Sequence, residues 1–150
     1  MISLNNEKYQ VFLLVCPGSI PFSFASHSWF VVNKQGTISR WEVSFRKIHR
    51  KTSWGHLNMD FYPPFQGIEI IPFSSKYFWK SKLLGQIEGG VAKRMMEFIE
   101  NSPTTYSVVD KYSLSGPNSN TYAQWVLNHF PEFTVTLPRN AFGKNYKFKK

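Results

Sequence analysis

At 150 residues with 42% hydrophobic side chains, the chain is long enough for one domain with a real core and too short for two ordinary ones. Its formal charge of +9 attracts polyanions by field alone. No helix-turn-helix, zinc-finger or RNA-recognition signature accompanies Arg46, Lys47, Arg50 and Lys51 or the tail lysines Lys144, Lys147, Lys149 and Lys150, so solvated basic loops are favoured over a nucleic-acid site. The single cysteine, Cys16, excludes an internal disulfide, the apolar run Val11 to Cys16 is too short to span a bilayer, and Met1 to Gln10 lacks the order of a signal peptide. A soluble, cytoplasmic protein is expected.

In chain order, Tyr9 to Val15 is a β-rich apolar run ended by Pro17-Gly18 and reads as a buried first strand. Ser19 to Ser26 reads as a loop or weak edge. His27 to Val32 and Thr37 to Phe45 bracket Asn33-Lys34-Gln35-Gly36 and predict a β-hairpin. A short strand is expected within Leu57 to Tyr62, before Pro63-Pro64, and another within Gly67 to Phe73; Ser74 to Leu84 has no clean period and reads as an irregular loop.

Gly89-Gly90 precedes an amphipathic helix over Val91 to Glu100, which Ser102-Pro103 is expected to end. Tyr106 to Leu114 reads as an extended connector. Gly116-Pro117 breaks it, and a second helix runs from Ser119 to Phe130 until Pro131 stops it. Glu132 to Leu137 is expected as a final strand, followed by a tail anchored by Ala141 and Phe142. The fold class is therefore α+β, an antiparallel sheet with two main helices packed on it, in one domain of residues 1–150.

The segment Asn118-Ser119-Asn120-Thr121-Tyr122 delivers a hydroxyl to a helix N-terminus, where unpaired N–H groups and the helix dipole can support a deprotonated nucleophile or an oxyanion. Ser and Asn are also preferred N-caps for purely structural reasons. A serine needs a base to become a nucleophile. His129 lies ten positions along the same helix, about 15 Å away. His49 sits in a basic loop and His56 in a turn. His27 opens a strand, so a rigid element holds its ring.

Glu42 is the one acid on the neighbouring strand. A four-residue hairpin loop sets it opposite His27, a two-residue Gln35-Gly36 loop makes the two diagonal neighbours, and a three-residue loop turns it to the other face, where it would be a solvent-facing partner for Arg40 or Lys34. Ser119, His27 and Glu42 are thus the candidate catalytic residues, and Asn118, Asn120 and Trp29 the candidate binding residues. Ser119 is expected to face a cleft. One cysteine and no His-Glu-x-x-His or acidic triad give no metal site, and no glycine-rich phosphate loop suggests a cofactor.

These residues carry a resemblance. Gly116-Pro117-Asn118-Ser119-Asn120-Thr121-Tyr122, His27-Ser28-Trp29, Glu42-Val43 and the segment Ala141 to Tyr146 resemble an uncharacterised bacterial family, a domain of unknown function, over nearly the whole chain. A more distant likeness is to circularly permuted NlpC-type peptidases of the papain-like class, in which an early strand carries His, the next a polar orienter, and an Asn-Cys-x-x-Phe segment opens a later helix. That likeness implies a papain-like fold with Ser119 in the cysteine position. A serine there means either a base-activated hydrolase or a fold that has lost the chemistry.

Two functions follow. One is a hydrolase or acyltransferase acting on an amide, ester or thioester. The other is a non-catalytic module binding a peptide, glycan or anionic polymer; nucleic-acid binding by charge and aromatic stacking ranks below both. The partner is an unassigned small-molecule, peptide or acyl substrate.

Overall fold

The first strand lies inside its sheet, flanked on both sides, and its side chains are buried on both faces: Val11, Phe12, Leu13 and Leu14 are all inaccessible to solvent. The computed structural model describes residues 2–149. In chain order the elements are β1 (Tyr9–Pro17), β2 (Ser26–Lys34), β3 (Thr37–Val43), β4 (Ser53–Trp54), β5 (Leu57–Met59), β6 (Gln66–Glu69), β7 (Phe78–Lys80), β8 (Lys82–Glu88), α1 (Gly90–Thr105) and α2 (Ser119–Asn128). Six strands form an antiparallel sheet in the order β4-β5-β3-β2-β1-β8, and β6 and β7 pair separately. The α+β class holds, with two helices packed against the sheet.

Alternation along the strands separates two apolar layers. Val11, Leu13, Phe30, Val32, Trp41 and Val43 meet Met95, Ile99, Tyr122 and Val126 of the helices. Phe12, Leu14, Cys16, Trp29 and Val31 form a smaller cluster on the other face, covered by Phe65, Ile68 and Trp79 of the β6–β7 region. The β2–β3 connection is a two-residue turn: Lys34 pairs with Thr37, and Gln35 and Gly36 both have positive φ. That register brings Arg40 and Glu42 to the face shared by Trp29 and Val31.

Four sequence expectations fail. Residues Ser74 to Leu84, read as an irregular loop, contain β7 and the start of β8. Strand β8 closes the sheet beside β1 with a register shift at Leu13/Leu14 that blurs its period. Residues 132–137 form no strand. Instead Phe133 and Val135 pack over Gly85 of β8, where a glycine leaves room for them.

Helix α1 also passes through Pro103 rather than ending before it. Proline cannot donate to the carbonyl four residues back, but the Ser102 hydroxyl donates to that carbonyl, Ile99 O, at 2.6 Å, and also meets the Tyr122 hydroxyl at 2.8 Å. Helix α2 stops at Asn128, with His129 as its C-cap, two residues before the expected end.

Candidate functional site

The start of α2 is built from side chains that satisfy one another. Asn118 is the N-cap: its side-chain oxygen accepts from the amides of Asn120 at 3.0 Å and Thr121 at 3.3 Å, while the Thr121 hydroxyl accepts from the Asn118 amide at 3.1 Å. The Asn118 amide group reaches back to the carbonyls of Ser113 and Leu114, and the Thr121 hydroxyl donates to Gly143 O. Gly143 has a φ of +95°, and a Cβ there would collide with the Asn118 side chain, so the tail must carry glycine where it crosses the cap.

Asn120 ties this turn to β2. Its side chain donates to Ser26 O at 2.8 Å and Phe142 O at 2.9 Å and accepts from the Ser28 hydroxyl at 2.8 Å. Ser26 and Ser28 flank His27, so the first turn of α2 is fastened on both sides of that residue. Ser119 lies within this turn and is only 4% exposed. It is packed beneath neighbouring segments rather than open on a cleft.

Strand alternation sends Ser28 toward α2 and His27 toward Trp29 and Glu42. His27 Nε2 lies 2.5 Å from Glu42 Oε2, and its ring stacks on Trp29 at a centroid separation of 5.8 Å. The two-residue turn therefore yields the neighbourly arrangement of His27 and Glu42. A carboxylate can only accept, so Nε2 carries a proton in this contact. Among the described residues, no hydrogen bond joins the His27 ring to the Ser119 hydroxyl.

Glu42 is buried and ionised. Burial alone would raise its pKa, but the Arg40 guanidinium and the His27 hydrogen bond outweigh it and hold the carboxyl at about 2. Arg40 grips it with Nε at 2.6 Å and a second nitrogen at 3.0 Å, and donates to the carbonyls of Pro63, at 2.7 Å, and Gln66. The guanidinium carbon sits 4.1 Å from the Trp29 ring centroid. So Trp29, expected as a binding residue, is fully buried and serves as a platform for Arg40, with its indole N–H donated to Pro64 O.

Sequence reasoning named Arg40 only as a solvent-facing partner of Glu42 and missed that the pair is buried. The signal was present: in Arg40-Trp41-Glu42, spacing of two on a strand puts Arg40 and Glu42 on one face, and an apolar neighbour strand makes that face buried. Cys16 pairs with His27 across β1 and β2. Burial pushes its thiol up to about 12, so it is neutral and no nucleophile.

No group of three or more His, Cys, Asp and Glu is arranged to hold a metal among the described residues, and no helix there is long and apolar enough to cross a membrane. The model of a family described as proteins of unknown function (DUF3750) matches residues 10–146. The chain belongs to that family. No curated protein and no solved structure matches it.

Proposed function

We propose that the chain is a hydrolase or acyltransferase of papain-like type, related in layout to the permuted NlpC enzymes, that acts on an amide, ester or thioester. The observation that carries this reading is the 2.5 Å His27–Glu42 bond at a strand end fastened to the first turn of α2. Glu42 sets the imidazole tautomer and stays ionised, leaving His27 Nδ1 as the proton acceptor. Ser119 Oγ attacks the acyl carbon as its proton passes to Nδ1. His27 returns that proton to the leaving group as the tetrahedral intermediate collapses to acyl-Ser119. Water or an acceptor hydroxyl, deprotonated by the same nitrogen, then releases the acyl group.

The oxyanion has fewer donors than a bare helix start would offer, because Asn118 takes the Asn120 and Thr121 amides. The Ser119 amide is the first-turn donor left over. With Ser119 at 4% and His27 at 8% exposure, and with His27 on the face of β2 opposite the one that Ser28 turns to α2, the reading also requires the His27 ring to swing round the strand end to Ser119 and the covering segments to part for substrate. The test is labelling with a small fluorophosphonate: modification at Ser119, lost in both Ser119→Ala and His27→Ala, supports an acyl-transfer enzyme.

One observation favours the second reading, a non-catalytic binding module of the same fold. The side chains of Asn118, Asn120 and Thr121 are engaged in holding the 113–114 loop, β2 and the tail, as a structural cap would be. A native protein inert to the probe, with Ser119→Ala retaining ligand binding, selects that reading.

A further inference from the structure

The molecule leaves an unusual amount of apolar surface uncovered at one end of the sheet. Ile20, Phe22, Phe45, Ile68, Phe73 and Leu114 line a groove of about 400 Å³ whose walls carry almost no polar atoms. Its rim residues are open to water, Phe73 at 64% and Leu114 at 55% exposure. Phe73 stands there with a φ of +65°, a backbone conformation costly for a bulky side chain.

Two residues further along both bordering segments, the chemistry reverses. Phe45 and Tyr112 line the groove, whereas Lys47 and Asp110 line a neighbouring depression of about 550 Å³ that also contains His49, Arg50 and Lys51. Its one acid, Asp110, already faces Lys47 at 3.5 Å. An apolar slot therefore adjoins a depression in excess positive charge. The groove also adjoins the candidate site at two points: the Cys16 thiol lies against the Ile68 backbone, and Leu114 O accepts from the Asn118 side chain.

We propose that this groove binds the aliphatic chain of a single-chain anionic amphiphile, with its carboxylate or phosphate head over the Lys47, Arg50 and Lys51 depression. Concavity favours one chain over a flat membrane contact, and the charge reversal at the mouth selects an anionic head. The assignment goes beyond the acyl-transfer reading and does not depend on it, because binding requires no nucleophile.

The test uses the full chain carrying Ser119→Ala, so that catalysis cannot enter the result. Dansylated undecanoic acid is titrated by fluorescence and displaced with saturated fatty acids of increasing length, with dodecanol and with dodecyltrimethylammonium. Expected are saturable binding, displacement affinity rising about fourfold per methylene until the groove is full, and preference for the anionic head. Leu114→Asp and Phe73→Asn should each weaken binding at least about tenfold. Asn tolerates the positive φ at position 73, so that variant keeps the fold if Leu114→Asp does not. Arg50→Glu with Lys51→Glu should erase the advantage of dodecanoate over dodecanol.

Three results overturn the proposal: no saturable probe signal, binding unchanged in a folded Phe73→Asn protein, or co-sedimentation with phosphatidylglycerol vesicles without any binding of the monomeric probe. If the amphiphile binds but wild-type protein resists the fluorophosphonate, the groove stands and the acyl-transfer reading falls. The reverse pattern sinks the groove alone.

Discussion

The two helices begin in opposite ways. Helix α1 starts at Gly89-Gly90 with no side-chain cap, both glycines exposed and nothing within 4 Å of where a Cβ would stand. Helix α2 starts with four consecutive buried polar residues, Asn118 to Thr121, bound to β2, to the 113–114 loop and to the tail. Hydrophobic packing suffices to hold α1, as Met95 and Ile99 show by their complete burial. Burying polar groups without loss demands that each find a partner, so α2 is placed in one orientation relative to His27. A fold that fixes one helix start this closely and leaves the other bare separates support from site.

The largest effects should sharpen that contrast at α2. If acyl transfer is the activity, Ser119→Ala and His27→Ala should each lower turnover by at least about 10³-fold, and the double variant should lose little more, because the pair acts as a unit. Measured single-turnover rates decide it; additive losses would separate the two residues.

Next in size is the ion cluster beside the α2 start. Glu42→Gln leaves Arg40 buried without its counter-charge and should cost about 3–5 kcal/mol in denaturant unfolding. The sign of its pH dependence follows from a folded pKa of about 2, below the ordinary carboxylate value. Stability from Glu42 is complete above about pH 4.5 and lost as pH falls toward about 2, on the order of 3 kcal/mol in all. Acid melts of Glu42→Gln should show a shallower slope over that window than those of the wild type; matching slopes would mean that Glu42 does not carry the acid sensitivity.

Smaller changes compare the two helix starts directly. Gly143→Ala forces a Cβ into the Asn118 side chain at a positive φ and should cost more than about 1 kcal/mol, the usual loss on removing a cap, which is the expectation for Asn118→Ala as well. At the bare start of α1, Gly90→Ala meets open space and should stabilise by roughly 0.5–1 kcal/mol. Thermal unfolding of the three variants tests the contrast, which collapses if Gly90→Ala and Gly143→Ala shift the melt alike.

Local pattern alone reached the β1 run, the β2–β3 hairpin and both helices, and it offered the pairing of His27 with Glu42 as the outcome of two of three hairpin loops, among which the structure chose the two-residue turn. These depend on side-chain periodicity, on turn residues and on capping chemistry, all contained within a few positions of one another. Only the tertiary structure decided what those residues touch across long separations. Strand β8 was hidden because its partner β1 lies some 75 positions away and a register shift breaks its alternation. Pro103 stays helical because the Ser102 hydroxyl takes over the carbonyl that proline cannot serve. Arg40 became a buried counter-charge because the 63–66 segment closes over it, and Ser119 became a buried first-turn residue in a turn that β2 and the tail fasten through Asn120 and Thr121. Burial depends on which distant segment covers a face, and no local spacing of residues encodes that.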